Sequence, residues 1–138
     1  MILKFDNPLW VPKLIDLAKA VPGVPLEELK KFIYSTLNQV NAVAYMDWRE
    51  PEVAGFIYAT DEVFNGERCA FIQFCVIKPR RDDKYTGFEL LTKVKTWAKE
   101  KGLNKIYFIT QRSPEGFIHK YHFEMHGSVL KMDLTKER

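Results

Sequence analysis

The sequence predicts an α/β (α+β) fold: a mixed, mostly antiparallel central sheet, flanked by helices and containing a parallel central strand pair. Asn65-Gly66 lies between two apolar runs, and it predicts a tight type I′ hairpin because both residues accept positive φ. After this hairpin an amphipathic helix separates two apolar strands, which implies a right-handed crossover and a parallel pair. Two helices with apolar stripes precede the hairpin and can cover the sheet.

The first part of the chain predicts one short strand and two helices. Residues 2–5 form the strand, and Pro12 suits the first turn of the first helix. The segment 21–25, VPGVP, ends that helix, and the second helix begins with Glu27 and Glu28 near its positive end. Apolar side chains at helical spacing mark the two buried faces: Val11, Leu14, Ile15 and Ala18, then Leu26, Leu29, Ile33 and Leu37.

Three strands of an antiparallel meander follow these helices. Residues 40–46 alternate between apolar and other positions, and residues 53–64 are rich in β-branched and aromatic side chains. Residues 67–77, ERCAFIQFCVI, are apolar at nearly every position. Such a strand is expected to be covered on both faces of the sheet.

The last third of the chain predicts a helix, a strand, a short helix and a final strand. The first helix covers residues 87–101 and ends at Gly102, a residue typical of the helix C-terminus. Residues 103–110 form the next strand. Pro114 opens the short helix, which runs to Tyr121, and residues 128–134 alternate as the final strand.

Length and composition indicate a folded protein of one domain, residues 1–138. Apolar residues make up 46% of the chain, too many for a disordered protein. No apolar run approaches the ~20 residues of a membrane span, so no membrane partner is expected. The N-terminus has no pattern of a secretory signal, and we therefore expect a cytoplasmic location.

The two cysteines are predicted to be reduced. Cys69 and Cys75 lie in one predicted strand, six positions apart, which is roughly 20 Å and too far for a disulfide. Two reduced thiols fit a reducing compartment.

The net charge of +3 allows an anionic ligand but does not indicate nucleic acid. Lys78, Arg80 and Arg81 form a basic group that could contact a polyanion. Asp82 and Asp83 follow at once and nearly balance it, so a solvated turn or a contact with one nucleotide phosphate is favoured over nucleic acid.

The order of elements and several motifs resemble the GNAT superfamily of acyl-CoA-dependent N-acetyltransferases, over residues 53–134. Ile77-Lys78-Pro79 matches the end of that family's central strand, and residues 84–89, KYTGFE, lie on its phosphate loop. The segment WAKEKGLNKIYFIT matches the following helix-to-strand passage, and His122-Phe123-Glu124 stands where Gly-Phe-Glu is usual. The resemblance implies a GNAT-like fold that uses acetyl-CoA as co-substrate and no metal.

Two groups of cofactor-binding residues follow from this resemblance. The backbone of Cys75, Val76 and Ile77 would pair with the pantetheine arm as an added strand does. The start of the helix would hold the pyrophosphate, because backbone N–H groups and the helix dipole stabilise anions there. The residues implied at that position are Lys84, Tyr85, Thr86, Gly87 and Phe88.

The catalytic groups are less clearly marked. In the family, a tyrosine four residues before the Gly-Phe corner often protonates the leaving thiolate, and Ile118 stands at that position here. The nearby Tyr121 is the candidate acid, although a packing or surface role is favoured for it. Gln73, at the centre of its strand, cannot act as a base. Asp61, Glu62 and Glu67 flank the hairpin and are interpreted as surface residues, so the sequence names no general base and leaves proton loss through water as an open route.

Histidine and aromatic groupings give two further alternatives. His119, His122 and His126 would share one face if the helix continued, and such a face could bind a metal, but the predicted helix ends too early. Tyr45, Trp48, Phe56 and Tyr58 could line an acceptor pocket, although aromatic residues at strand spacing are more often core.

The sequence therefore predicts an N-acetyltransferase that transfers the acetyl group to a small-molecule or peptide amine by direct attack. A catalytically degenerate GNAT-fold binding or assembly module is the alternative. It is favoured by a loop two residues longer than usual, by Glu89 in place of a small residue, and by the missing base. The sequence does not decide between a monomer and a homodimer.

Overall fold

The computed structural model describes residues 1–21, 24, 26–38, 41–78, 85–109, 124–126 and 129–136. Its helices and strands, in chain order, are β1 (Ile2–Lys4), a 3-10 turn (Pro8–Trp10), α1 (Val11–Ala20), α2 (Leu26–Asn38), β2 (Ala42–Arg49), β3 (Glu52–Phe64), β4 (Glu67–Ile77), α3 (Thr86–Glu100), β5 (Lys105–Ile109), β6 (Glu124–His126), β7 (Val129–Asp133) and a 3-10 turn (Leu134–Lys136). The strands form one sheet in the order β1-β2-β3-β4-β5-β7-β6.

The predicted fold class is confirmed. The β4–β5 pair is parallel, and the other five strand pairs are antiparallel. The predicted hairpin is present, since Phe64 pairs with Glu67 across Asn65 and Gly66, whose φ angles are 53° and 77°. Both angles are positive, as a type I′ turn requires. None of the described helices is long and apolar enough to cross a membrane.

Element boundaries differ from the predictions where packing overrides local pattern. The first strand ends at Lys4, and β2 continues past Met46 to Arg49. The helix predicted at residues 87–101 begins one residue earlier, at Thr86. Strand β5 begins at Lys105 rather than at residue 103.

The region between β5 and β7 contains a short strand, β6, that was not predicted. The predicted short helix at residues 114–121 lies outside the described residues.

The core has one layer on each face of the sheet. On one face, α3 packs through Leu90, Leu91, Val94 and Ala98 against inward side chains of the central strands. On the other face, α1 and α2 pack through Leu14, Leu17, Leu29 and Ile33 against Phe56, Tyr58 and Val76. The sheet is thus covered on both sides, as the apolar run at residues 67–77 predicted.

A β-bulge at Gln73 divides β4 into two halves. Tyr58 of β3 pairs with Phe74 and Ala59 pairs with Ile72, so Gln73 has no Cα partner in the ladder. The extra residue reverses which side chains face which helix layer. Before the bulge the α3 face receives Ala70 and Ile72, and after it Cys75 and Ile77, while Phe74 and Val76 face α1 and α2.

Both cysteines lie in β4, and neither forms a disulfide, as predicted. Cys69 is fully buried and Cys75 is partly buried.

Candidate functional site

Four of the predicted cofactor-binding residues lie together at the start of α3. Tyr85 is the N-cap, and Thr86, Gly87 and Phe88 form the first turn. Helix geometry gives the N–H groups of Gly87 and Phe88 no acceptor within the helix, and the positive end of the helix dipole lies there. The side chains of Tyr85 and Phe88 are 62% and 53% exposed. Lys84, the fifth predicted residue of this group, lies outside the described residues.

Thr86 was predicted to take part in pyrophosphate binding through the backbone N–H groups of the helix start, and its side chain points into the protein. The residue is 2% exposed, and its hydroxyl donates a hydrogen bond of 2.9 Å to Oδ2 of Asp47. A contact between Thr86 and a ligand would therefore have to come from its backbone.

Asp47 is a fully buried carboxylate on β2 that accepts hydrogen bonds from three groups. Besides Thr86, these are Nε of Arg49, 2.9 Å from Oδ2, and the N-terminal amine of Met1, 3.1 Å from Oδ1. Arg49 also lies 4.0 Å from the carboxylate of Glu89, in the first turn of α3. The predicted site included none of these contacts.

Gly55 lets the start of α3 rest directly on the sheet. This residue pairs with Asp47 on one side and Ile77 on the other. A Cβ at Gly55 would lie 2.7 Å from Cγ2 of Thr86 and 2.9 Å from Cδ1 of Leu90. These distances are shorter than van der Waals contact, so only glycine fits this position without displacement.

The other predicted cofactor-binding segment, Cys75 to Ile77, forms the end of β4. The N–H of Lys78 donates to the carbonyl of Ala54 on β3 at 2.8 Å. Because peptide groups alternate along an antiparallel ladder, those of Val76 point towards β3 and those of Ile77 point away from it. In the described residues the ladder to β5 covers Ala70–Ile72. Among the described residues, the segment Cys75 to Ile77 therefore lies beyond this ladder.

The bulge places a polar group on the α1/α2 face, where the β4–β5 ladder ends. The side-chain amide of Gln73 donates to the hydroxyl of Thr60 at 3.2 Å and to the carboxylate of Glu62 at 3.4 Å. Burial raises the pKa of the nearby Tyr58 phenol, and the charge of Glu62 raises it further. Glu62 was interpreted as a surface residue, and it is exposed. Its carboxylate is nevertheless linked to Gln73, in the middle of β4, by this hydrogen bond.

Aromatic side chains pack beside this polar group. Phe32 of α2 stacks on Tyr58 with ring centroids 5.2 Å apart and lies 5.5 Å from Phe74. Both Phe32 and Phe74 are partly buried, so the polar group has an apolar wall on its α2 side.

The four aromatic residues that could have lined one acceptor pocket lie on different faces of the sheet. Tyr45 packs in the α3 layer, whereas Phe56 and Tyr58 are buried in the α1/α2 layer. The ring of Trp48 contacts the ring of Trp10 edge to face, with the ring centroids 5.1 Å apart. A single pocket lined by all four is therefore wrong, and the core interpretation holds for Phe56 and Tyr58.

The turn that joins β2 to β3 borders a small cavity. Lys78 pairs with Glu52 at 2.5 Å, and Lys13 of α1 donates to the carbonyl of Pro51 at 2.9 Å. These residues, with Asp16, line a cavity of about 150 Å³. The other residues of the predicted basic turn, 80–83, lie outside the described residues.

The remaining predicted catalytic and metal residues are only partly described. Tyr121, His119 and His122 lie outside the described residues. His126 lies in β6, so the helical face that could have joined the three histidines does not reach it. The described part of the chain contains no cluster of histidine, cysteine or acidic residues arranged to hold a metal.

Comparison with known proteins identifies the family. Residues 12–123 match the model of the acetyltransferase (GNAT) family. The chain belongs to the GNAT acetyltransferase family. No curated protein matches it in sequence.

Solved structures of GNAT proteins share the fold at low sequence identity. The aminoglycoside 6′-N-acetyltransferase from Enterococcus faecium is 16% identical, with a TM-score of 0.74 over 100% of this chain and 99% of that chain. The PaiA N-acetyltransferase from Thermoplasma acidophilum, solved with coenzyme A, is 17% identical, with a TM-score of 0.70 over 96% and 99% of the two chains. A GNAT acetyltransferase from Brucella melitensis, solved with acetyl-CoA, is 10% identical, with a TM-score of 0.73 over 100% and 91%.

Proposed function

We propose that this GNAT family member transfers the acetyl group of acetyl-CoA to an amine by direct attack, without a covalent enzyme intermediate. One juxtaposition carries the proposal. The start of α3, with its first-turn N–H groups, lies on Gly55 of β3, one strand away from the end of β4, which lies beyond the described β4–β5 ladder. A helix N-terminus suits a pyrophosphate, and an extended strand edge suits an amide-bearing arm.

The two parts of the coenzyme would bind to these two elements. The amides of Tyr85, Thr86, Gly87 and Phe88 would donate to the pyrophosphate, and Lys84 would add a positive charge. The segment Cys75, Val76 and Ile77 would pair with the pantetheine arm. Within it, the peptide groups of Ile77 point away from β3 and are the main candidates for that pairing.

The chemistry needs a nucleophile, a stabilised oxyanion and two proton transfers. The amine nitrogen bonds to the carbonyl carbon, the carbon–sulfur bond breaks, and the thiolate takes up a proton. Backbone amides near the end of β4 would stabilise the oxyanion. Glu62 would attract the ammonium group and take up its proton through water, and Tyr121 would return a proton to the thiolate.

The acceptor is proposed to be a small-molecule or peptide amine, acetylated in the cytoplasm, whose reducing conditions fit the two thiols. The half-buried aromatic wall of Phe32 and Phe74 beside Glu62 favours an amine attached to an apolar or ring-shaped group. The Enterococcus faecium protein acts on aminoglycosides, but at 16% identity its acceptor does not identify this one.

Thermal unfolding with and without coenzyme A tests the binding step. Coenzyme A at 100 times its dissociation constant should stabilise the fold by about 2.7 kcal/mol. Gly87→Glu should abolish this shift, because it adds bulk and negative charge at the first turn of α3. An unchanged unfolding temperature at millimolar coenzyme A would refute the proposal.

Thiol release from acetyl-CoA with a panel of amines tests the transfer step. The module alternative is favoured by Gln73, which holds the centre of β4 but cannot act as a base. Coenzyme A binding without thiol release for any amine would support that alternative. If the phenol of Tyr121 returns the proton, Tyr121→Phe should lower kcat and leave the KM for acetyl-CoA nearly unchanged.

A further inference from the structure

We propose that Asp47 is a positioning residue, which fixes the first turn of α3 for pyrophosphate binding without touching the coenzyme. The proposal rests on the coenzyme A binding proposed above. Asp47 is 0% exposed, so contact with a ligand in solution is excluded in this conformation. Its influence on the turn must pass through the side chains that it binds.

The link to the turn is the hydrogen bond from Thr86. This residue is the first of α3, and its hydroxyl donates to Oδ2 of Asp47 at 2.9 Å, inside the protein. A hydrogen bond to a buried charged acceptor is among the stronger ones in proteins. Tyr85, the N-cap, makes no side-chain capping bond, and Thr86 supplies a buried side-chain attachment at this helix end.

The buried carboxylate does not leave an unbalanced charge beneath the turn. Arg49 binds the same oxygen at 2.9 Å, and the N-terminal amine of Met1 binds the other oxygen at 3.1 Å. Arg49 also lies 4.0 Å from Glu89. Glu89, the acidic residue in the first turn, therefore has a cation on its sheet side, which reduces its repulsion of an anion.

Gly55 links the first turn of α3, which would bind the pyrophosphate, to the end of β4, which would bind pantetheine. It pairs with Asp47 and with Ile77, and it lies directly under Thr86. The turn that would hold the pyrophosphate is thus fixed one strand away from the β4 segment that would hold pantetheine. A loss of the Asp47–Thr86 bond would allow the turn to move relative to that segment.

Isothermal titration with coenzyme A, on the wild type and on Asp47→Asn, Thr86→Val and Thr86→Ser, tests the proposal. Asp47→Asn and Thr86→Val should raise the dissociation constant about tenfold, the effect of losing one charged hydrogen bond. Thr86→Ser keeps the hydroxyl and should restore most of the affinity that valine loses. Thr96→Val is the matched control, because Thr96 lies on the same helix and its hydroxyl binds the carbonyl of Thr92.

Inhibition by pantetheine separates a role at the pyrophosphate from a general loss of structure. Pantetheine lacks the pyrophosphate, so its inhibition constant should change less than about twofold in Asp47→Asn and Thr86→Val. The KM for acetyl-CoA should rise with the coenzyme dissociation constant, while kcat stays close to that of the wild type.

Three outcomes would overturn the proposal. If the variants bind coenzyme A as tightly as the wild type, Asp47 has no positioning role, and the proposed coenzyme site itself is unaffected. Equal losses for coenzyme A and pantetheine, in parallel with a lower unfolding temperature, would indicate a general loss of structure. A wild type that does not bind coenzyme A at all would overturn the proposed function as well.

Discussion

The start of α3 and the bulge of β4 are built in opposite ways. At the start of α3, a buried carboxylate, a buried threonine and a glycine without space for a Cβ fix the backbone. At the bulge, Gln73 makes longer hydrogen bonds of 3.2 and 3.4 Å to Thr60 and to the exposed Glu62. A rigid site suits a ligand that does not vary, and an exposed polar site can change with its ligand. We therefore expect mutations at the start of α3 to change coenzyme binding and mutations at the bulge to change acceptor binding.

The largest effect is expected from Gly55→Val. Its Cβ would lie 2.7 Å from Cγ2 of Thr86 and 2.9 Å from Cδ1 of Leu90, so these side chains of α3 must shift. Overpacking of this kind costs about 1–3 kcal/mol, and urea denaturation should show that loss in the free energy of unfolding.

Coenzyme A affinity should fall together with this stability. Val63→Ile is the matched control, since Val63 lies on the same strand and is 70% exposed. An unchanged free energy of unfolding in Gly55→Val would show that the contact between α3 and the sheet is looser than described.

The second prediction concerns the bulge. Glu62→Gln should lower kcat/KM for the amine about tenfold, because a nearby carboxylate attracts an ammonium group, and leave coenzyme A affinity unchanged. Steady-state kinetics with the acceptor varied would measure it.

Glu67→Gln is the matched control for Glu62. It removes the same charge near the hairpin, where Glu67 pairs with Lys105 at 2.9 Å. Equal losses in the two variants would indicate a general electrostatic effect and not a role at the bulge.

A smaller effect is expected from Gly66→Ala, which tests whether the hairpin is independent of both sites. A Cβ at Gly66 meets nothing within 4 Å, but φ is +77°. Alanine should therefore lower the free energy of unfolding by about 1 kcal/mol through backbone strain alone. Asn65→Gly keeps positive φ accessible and is the control. Altered coenzyme affinity in Gly66→Ala would contradict this independence.

The smallest effect at neutral pH is expected from Cys69, in the first half of β4, whose influence is confined to alkaline pH. Burial, with added repulsion from Glu62 and Glu67, raises the pKa of this thiol from 9.0 to about 11. Above pH 9 the unfolded thiol ionises while the folded one stays protonated, so stability falls between pH 9 and about 11. Thermal unfolding of Cys69→Ala should show a shallower fall over that range. Identical pH profiles would argue against a buried, protonated thiol.

The features that the sequence predicts well are those with a local cause. Asn65-Gly66 determines its turn through two backbone angles, and Gly102 ends α3 with φ of +75°. Both depend on the chain within a few residues, so pattern and composition were sufficient.

The bulge could not be predicted, because it depends on the layers on both sides of the sheet. The run ERCAFIQFCVI is apolar almost throughout, and nothing in its pattern shows where the alternation reverses. Gln73 is the polar residue within it, and its use as the bulge appears only when β3 is paired alongside.

Asp47 had a signal that was not used. It continues the alternation of Val43 and Tyr45, so it falls on a buried face. Gly55 stands inside a β-rich segment with no turn to explain it, which indicates a close approach of another element. Together these two residues would have pointed to a buried polar attachment. The predicted contacts at residues 79–84 and at Tyr121 remain predictions.

The bulge at Gln73 makes β4 behave as two short strands of opposite phase on one backbone. Phe74 and Val76 face α1 and α2, while Cys75 and Ile77 face α3. Acceptor preference could therefore be redesigned at the even positions after the bulge, while the odd positions keep their packing under α3. Deletion of Gln73 would restore one continuous alternation along β4 and turn Phe74 and Val76 towards α3. A related sequence that lacks this residue should therefore present different side chains at the site.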